Sequence, residues 1–359
     1  MPVTLLGKAR SCKGGDVKIV FDKRQLAHDP PTFLVRGRVQ RCPDRPERAE
    51  VLLAAAREAG YEVIAPDDHG IAPLAAVHSL EYLEFLKTIH AAWRSLPDAA
   101  EEVVPNIHPN RNMGVRPRAT VGLAGYHMSD TACPITADTW GAASASANAA
   151  VHAARLVLAG EGSAYGLCRP SGHHAFADMA GGFCYLNNAA IAAEDLRRER
   201  ARVAILDIDV HAGNGTQAIF YRRDDVLFVS IHADPADYYP FYAGYAHERG
   251  EGAGLGHTLN LPLPLGTGTA EFLQALDQAL GAVRDYAPEA LVVSLGLDTF
   301  EGDPLKGFRV AAGAFTDIGA AIGRLALPTV LVQEGGYPCA ELGGNLARFL
   351  AGFEAAHML

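Results

Sequence analysis

Six apolar runs constrain this chain more than any other feature. "AYGLC", "VAILDIDV", "VLFVSIH", "TLNLPL", "ALVVSLGLD" and "TVLVQEGG" follow one another between residues 164 and 336. Stretches with helical spacing lie around residues 187–199, 270–286 and 311–326. Near-continuous Val/Ile/Leu strands separated by helices fit a mostly parallel sheet. A parallel strand returns only through a crossover, and that crossover covers its face. Upstream, "RPERAEVLLAAAREAG" from Arg45 reads as a helix with a glycine stop and "YEVIAP" as a short strand. "SLEYLEFLKTIHAAW" and "DTWGAASASANAAVHAARLVLAG" read as further helices, the second capped by Asp138 or Thr139. The chain has 359 residues, 49% of them hydrophobic, so it can bury one large core. Typical domain length allows two domains as well.

Several runs end in polar or charged residues, and open α/β sheets place their sites at the carboxyl ends of strands. The run from Val203 ends in Asp207, Asp209 and His211. In an ideal strand these alternate positions share one face. A core face takes two carboxylates only when something offsets their desolvation, and a bound cation does so. Asp298 ends another run. Two carboxylates and one imidazole leave room for water and substrate, which is a catalytic set for zinc, or for iron or cobalt.

"RPSGHHAFADMAGGFCYLNNAA" adds the adjacent His173 and His174 in a Gly-rich segment. In a loop both can line one pocket, and a histidine beside an acidified water can take its proton. Asp207 and Asn214 are the polar residues available to fix the two tautomers. "QEGGYP" brings Tyr337, whose hydroxyl can stabilise an oxyanion opposite a metal. Taken singly, each feature has a plainer account: turn caps for Asp207 and Asp209, a partly buried histidine for His211, core packing for Phe183. The convergence of strand ends on acids and histidines argues against the plain accounts together.

Composition narrows the partners. Asp+Glu number 41 against Lys+Arg 31, a formal charge of -10 with no basic patch in the sequence, which argues against nucleic acid. Cysteines 12, 42, 133, 168, 184 and 339 are scattered, with no CxxC pair, so neither a disulfide framework nor a structural zinc knot is expected. The N-terminal stretch lacks a signal-peptide apolar run, and no run is long enough for a bilayer. The expectation is a cytoplasmic protein with no membrane contact. From Pro97 to Asp138 the pattern breaks down into a long excursion, and such loops serve a lid, a site or an oligomer contact.

With these residues in view, the sequence resembles the arginase/deacetylase superfamily, specifically the histone deacetylase-like amidohydrolases. "RPSGHH", "GGFCYLNNAA", "DIDVHAGNGTQ", "VSIHADP", "SLGLDTFEGDPL" and "QEGGY" stand in family order, and "RPERAEVL" matches near the N-terminus. The resemblance implies one α/β catalytic domain over residues 1–359 around an eight-stranded, mostly parallel sheet. It implies zinc held by Asp209, His211 and Asp298, the tandem histidines His173 and His174, and a transition-state tyrosine at Tyr337. It also implies two potassium sites. One uses Asp207, Asp209, His211, Ser230 and the Ile231 backbone, and the other lies near Phe220 and Val226. There are two departures. Ala212 stands where many members carry a second histidine, which changes the wall beside the site. Asn214 replaces an Asp, which leaves the His174 imidazolium less stabilised.

"GYHMSDTACPITADTW" from Gly125 and "HADPADYYPFYAG" from His232 resemble the bacterial acetylpolyamine amidohydrolases. In that branch the preceding excursion helps form a dimer that narrows the entrance, a role that falls here to residues 98–130. The implied reaction is hydrolysis of an N-acetyl amide to acetate and a free amine. His173, oriented by Asp207, takes the water proton. His174, steadied by Asn214, helps carry a proton to the leaving nitrogen. The Gly182 carbonyl accepts the substrate amide, and Phe183 and Tyr239 wall an aliphatic tunnel, with Tyr238 a rival for the second wall. The expected substrate is a small N-acetylated amine. An acetyl-lysine peptide deacetylase, a non-catalytic acetyl-amine binder and an arginase-like ureohydrolase are the alternatives; the last needs more carboxylates than this site offers. Asp16, Glu101 and Glu102 lie in plausible loops for a distal ammonium and receive no role.

Overall fold

Every expected strand forms, and most of them stop before their apolar run does. The computed structural model describes residues 17–357, so Cys12 and Asp16 lie outside the described residues. In chain order the strands are β1 (Lys18–Val20), β2 (Thr32–Val35), β3 (Arg38–Arg41), β4 (Val63–Ile64), β5 (Ser163–Gly166), β6 (Val203–Asp207), β7 (Val226–Ala233), β8 (Thr258–Leu263), β9 (Ala290–Leu295) and β10 (Thr329–Gln333). The helices are α1 (Pro46–Glu58), α2 (Ala72–Ala75), α3 (Leu80–Arg94), α4 (Thr120–His127), α5 (Thr139–Leu158), α6 (Asn188–Arg197), α7 (Asn214–Phe220), α8 (Thr269–Tyr286), α9 (Ala314–Gly323) and α10 (Leu342–Ala356).

Eight strands make one sheet in the order β4-β1-β5-β10-β9-β6-β7-β8. Each pairing in it is parallel. The remaining two, β2 and β3, form a separate antiparallel hairpin. Successive side chains of a strand point to opposite faces, and the sheet has an apolar layer on each. Val203 and Ile205 join the layer that includes α3, α5 and α6, while Ala204 and Leu206 join the one that includes α1, α8, α9 and α10. Among the described residues no helix is long and apolar enough to cross a membrane.

One correction concerns the central motif. The strand β6 ends at Asp207, so Asp207, Asp209 and His211 do not share a strand face. The ladder stops because side chains take over the backbone donors. The Asp209 amide donates to Asp207 Oδ1 at 3.0 Å, the Val210 amide to Asp298 Oδ1 at 3.0 Å, and the His211 amide to Asp209 Oδ1 at 2.9 Å. The same carboxylates that line the site therefore shape the turn that carries them.

Candidate active site

The three expected ligands converge at the carboxyl ends of β6 and β9. Asp209, His211 and Asp298 are all buried, and each offers a donor atom within 4.8 Å of the others. His211 Nδ1 lies 2.9 Å from Asp209 Oδ1 and 3.4 Å from Asp298 Oδ2. Two ligands about 2 Å from one ion at the tetrahedral angle stand roughly 3.3 Å apart, so this spacing fits a single small cation. Asp298 Oδ2 is buried with no hydrogen-bond partner. An orphaned buried carboxylate oxygen is costly unless a charge compensates it, and a cation between these donors supplies one.

Asp207 lies two residues before Asp209 and orients the first tandem histidine. His173 Nδ1 donates to Asp207 Oδ2 at 3.0 Å, which leaves Nε2 facing Asp209 Oδ1 at 3.8 Å. His174 Nδ1 donates to Asn214 Oδ1 at 2.7 Å, so its Nε2 also carries the free lone pair. The two rings are 4.0 Å apart, and their surroundings separate them electrically. Burial opposes a charge on His173, but Asp209 and Asp207 outweigh it and push its pKa up to about 10. A cation seated on Asp209 cancels part of that pull. Burial, with His173 and His211 as neighbours, drives the His174 pKa well below its ordinary value. Neutral Asn214 in place of a carboxylate leaves nothing to reverse that.

Tyr337 approaches from the loop after β10. Its ring packs edge-on to Phe183 at 6.1 Å and lies 4.7 Å beneath the Arg48 guanidinium carbon. Burial pushes its phenol pKa well above the ordinary value, and Arg48 offsets this only in part. The hydroxyl is therefore a permanent donor. Arg48 and Arg169 are fully buried and both bond Asp44, at 2.6 and 3.1 Å. Arg48 also donates to the Gly336 and Glu334 carbonyls, at 2.6 and 2.5 Å, and so fixes the backbone that carries Tyr337.

The walls come from two loops. Gly182 and Phe183 both have left-handed φ, 51° and 66°. A side chain on Gly182 would meet His174 Cδ2 at 2.5 Å and Tyr239 Oη at 2.7 Å, so only glycine brings this backbone against the histidine. The Tyr239 ring stands edge-on to His174 at 4.9 Å, and its hydroxyl donates to Asp130 Oδ2 at 2.6 Å. The Tyr238 ring stacks flat on His211 at 5.1 Å and its hydroxyl donates to the Leu305 carbonyl at 2.8 Å, so it packs on a ligand. His173, His174, His211, Phe183 and Tyr337 are each less than a tenth exposed, so access is narrow.

Three carboxylates escaped the sequence reading, and all three act on backbone amides. Asp130 accepts from the Ala132 amide at 2.8 Å and sits 3.3 Å from the Gly182 amide. Asp303 accepts from the Tyr337 amide at 2.9 Å, and burial together with Asp298 pushes its pKa up to about 8. Glu334 accepts from the Gly172 and His173 amides at 2.7 and 3.1 Å. Their only signal was an acid inside a motif already quoted. Among the expected potassium residues, Ser230 pairs with Asp207 across β6 and β7. Ile231 follows it, and Phe220 and Val226 bracket the turn from α7 to β7. Ala212 is buried, and a Cβ on Gly244 would stand 2.5 Å from its methyl. Glu101 faces Arg94 on α3 at 3.6 Å.

Comparison with known proteins shows the family. The family model described as "Histone deacetylase domain" matches residues 42–353. An acetylpolyamine amidohydrolase of Burkholderia pseudomallei is 49% identical, over 93% of this chain and 98% of its own length. Acetylpolyamine amidohydrolase 1 of Pseudomonas aeruginosa is 45% identical, over 94% and 99%. The crystal structure of an acetylpolyamine aminohydrolase from Burkholderia pseudomallei superposes with a TM-score of 0.92 at 48% identity, over 95% of this chain and 99% of the other. The chain belongs to the histone deacetylase family.

Proposed function

We propose that this protein hydrolyses small N-acetylated polyamines to acetate and the free amine. The reading is carried by one observation: three candidate metal donors, two histidines whose Nδ1 atoms are engaged by Asp207 and Asn214, and a protonated phenol lie buried in one site. Asp209, His211 and Asp298 would hold zinc, with iron or cobalt as competitors for the same oxygen and nitrogen donors. A cation there would polarise the acetyl carbonyl and acidify the attacking water. His173 Nε2 takes the water proton, and Asp207 steadies the imidazolium that results. That proton then passes to the leaving nitrogen, with His174, held by Asn214, as its relay. The Tyr337 hydroxyl donates to the acetyl oxygen, and the Gly182 carbonyl accepts the substrate N–H. Phe183 and Tyr239 flank the methylene chain. The potassium assignments rest on the placement of Ser230, Ile231, Phe220 and Val226 beside Asp207 and the α7–β7 turn. The five described cysteines are all free, which supports a reducing cytoplasm.

Three observations support a polyamine over a peptide. The relatives named above carry the polyamine name over nearly their full lengths. The Asp130 carboxylate sits on both walls, and the formal charge is -10. The test is kcat/KM of the zinc-loaded protein for acetylputrescine and acetylcadaverine against an acetyl-lysine peptide. The small amines are expected to be preferred. Preference for the peptide replaces the substrate and keeps the reaction; binding without acetate release replaces the enzyme by a binder.

The same reading includes a homodimer through residues 98–130. This segment contains α4, and Val103 bridges Ile135, so it is anchored at both ends. Between those anchors Ile107, Met113 and Val115 are exposed, Val115 by 91%. Exposed apolar side chains on a loop suit contact with a second copy. Light scattering at micromolar protein is expected to give a dimer, and Met113→Asp with Val115→Asp a monomer. A wild-type monomer would sink the dimer and the narrowed entrance together.

A further inference from the structure

We propose that Glu334 is a positioning residue that keeps the proton-accepting histidine and the oxyanion-binding tyrosine in one register. This deepens the hydrolase reading above and rests on it. Glu334 directly follows strand β10, whose last residue is the buried Gln333. Its carboxylate is fully buried. A buried glutamate needs compensation, and here it comes from the neighbouring His173 ring and from two backbone donors. Its Oε2 accepts from the Gly172 amide at 2.7 Å and the His173 amide at 3.1 Å. Its Oε1 lies 3.5 Å from the Ser294 hydroxyl on β9.

The backbone of the same residue is held equally firmly. Its amide donates to the Leu295 carbonyl at 2.9 Å. Its carbonyl accepts from the Ser171 hydroxyl at 2.9 Å and from Arg48 at 2.5 Å. One residue further on, the Gly335 amide donates to Asp209 Oδ2 at 2.7 Å. Two residues beyond that is Tyr337. Glu334 therefore links the loop bearing His173, the end of β9, a metal ligand and the loop bearing Tyr337. The Gly172–His173 segment lies in a loop with no strand ladder, so without this carboxylate two buried amides lose their acceptor. The segment also runs close against α6, since a Cβ on Gly172 would stand 2.4 Å from the Asn188 amide nitrogen. Displacement of a reacting group by about 1 Å can cost about 10²-fold in rate, and this contact guards against a displacement of that size.

Two conservative variants separate reach from charge. Glu334→Gln keeps the arm length and one acceptor oxygen and loses the charge. Glu334→Asp keeps the charge and shortens the arm by one methylene. In zinc-loaded enzyme, kcat per bound metal is expected to stay within about fivefold of wild type for E334Q. For E334D it is expected to fall by about 10²-fold, with KM changed by less than about threefold. A role through charge alone would reverse that order, and a purely structural role would lower the melting temperature while leaving kcat per loaded site unchanged; either result overturns the proposal. Hydrogen exchange at the Gly172 and His173 amides reads the same contact without turnover. Protection is expected in wild type and E334Q and its loss in E334D, and equal protection in all three also overturns it. A wild type with no turnover on any acetylated amine removes the hydrolase reading instead, and the exchange result still decides the contact.

Discussion

Gly335→Ala is expected to give a folded protein that does not retain its metal and has no measurable turnover. A Cβ built at Gly335 would stand 2.0 Å from Asp298 Oδ2 and 2.4 Å from Asp209 Oδ2. Carbon and oxygen do not approach that closely without a bond, so one side must yield. If the carboxylates yield, two of the three donors rotate away from the third. If the backbone yields, the Gly335 amide leaves Asp209 Oδ2, its 2.7 Å acceptor, and the Tyr337 loop moves with it. Loss of an outer partner alone typically costs about 10–100-fold in metal affinity, and this change strikes two of the proposed ligands themselves, so a larger loss is expected. Gly335 does not need glycine's left-handed freedom, since only its neighbour Gly336 has positive φ, 109°. The constraint at Gly335 is space, and alanine tests it without a general helix or turn penalty. The measurements are metal content after dialysis and the thermal melt. A variant that melts near wild type, holds one metal per chain and turns over normally would show that these carboxylates are not the metal seat.

The legible part of this protein was the part written in side-chain chemistry at strand ends. Burial selects apolar residues along a parallel strand, so Asp207, Asp209 and Asp298 stood out against their runs. Their pairing with His211 needed only the rule that strand ends share one rim of the sheet. The less legible part acts on backbone. Glu334, Asp303 and Asp130 each hold amides, and an amide leaves no trace in the sequence to say which acid it will find. The choice between Tyr238 and Tyr239 was hidden for a related reason. Two adjacent loop residues point apart, and nothing in "DYYPFY" says which one faces His174 and which one stacks on His211. Strand lengths were overrun because hydrophobicity continues past the last ladder bond: Ile208 and Leu297 are buried but lie beyond β6 and β9. The helix α10 was missed because its glycines imitate a loop. They serve packing, since a Cβ at Gly352 would stand 2.0 Å from the Thr316 carbonyl oxygen on α9. The long excursion was read as irregular throughout, yet Thr120–His127 is helical, with Gly125 set against the Ile107 carbonyl where a side chain would collide.

Tyr337→Phe is expected to lower kcat by about 10²–10³-fold with metal content and KM nearly unchanged, the usual cost of removing one oxyanion donor. The substitution removes one oxygen and leaves the rest of the site in place. The ring keeps its edge contact with Phe183 and its position 4.7 Å from Arg48, and both contacts need only an aromatic face. The backbone amide still donates to Asp303 Oδ2 at 2.9 Å, so the loop keeps its place. What disappears is a hydroxyl whose proton is locked on, because burial raises the phenol pKa far above working pH. Such a donor matters little to a neutral acetyl oxygen and strongly once that oxygen gains negative charge, so the loss falls on kcat and spares substrate binding. Two controls isolate it. Substrate affinity of the variant, measured by calorimetry, is expected within about threefold of wild type. A mimic of the tetrahedral adduct is expected to weaken in proportion to kcat. Equal turnover by wild type and variant would remove Tyr337 from the reaction and leave the cation alone to bear the oxyanion. A loss confined to KM would make it a substrate-binding residue instead.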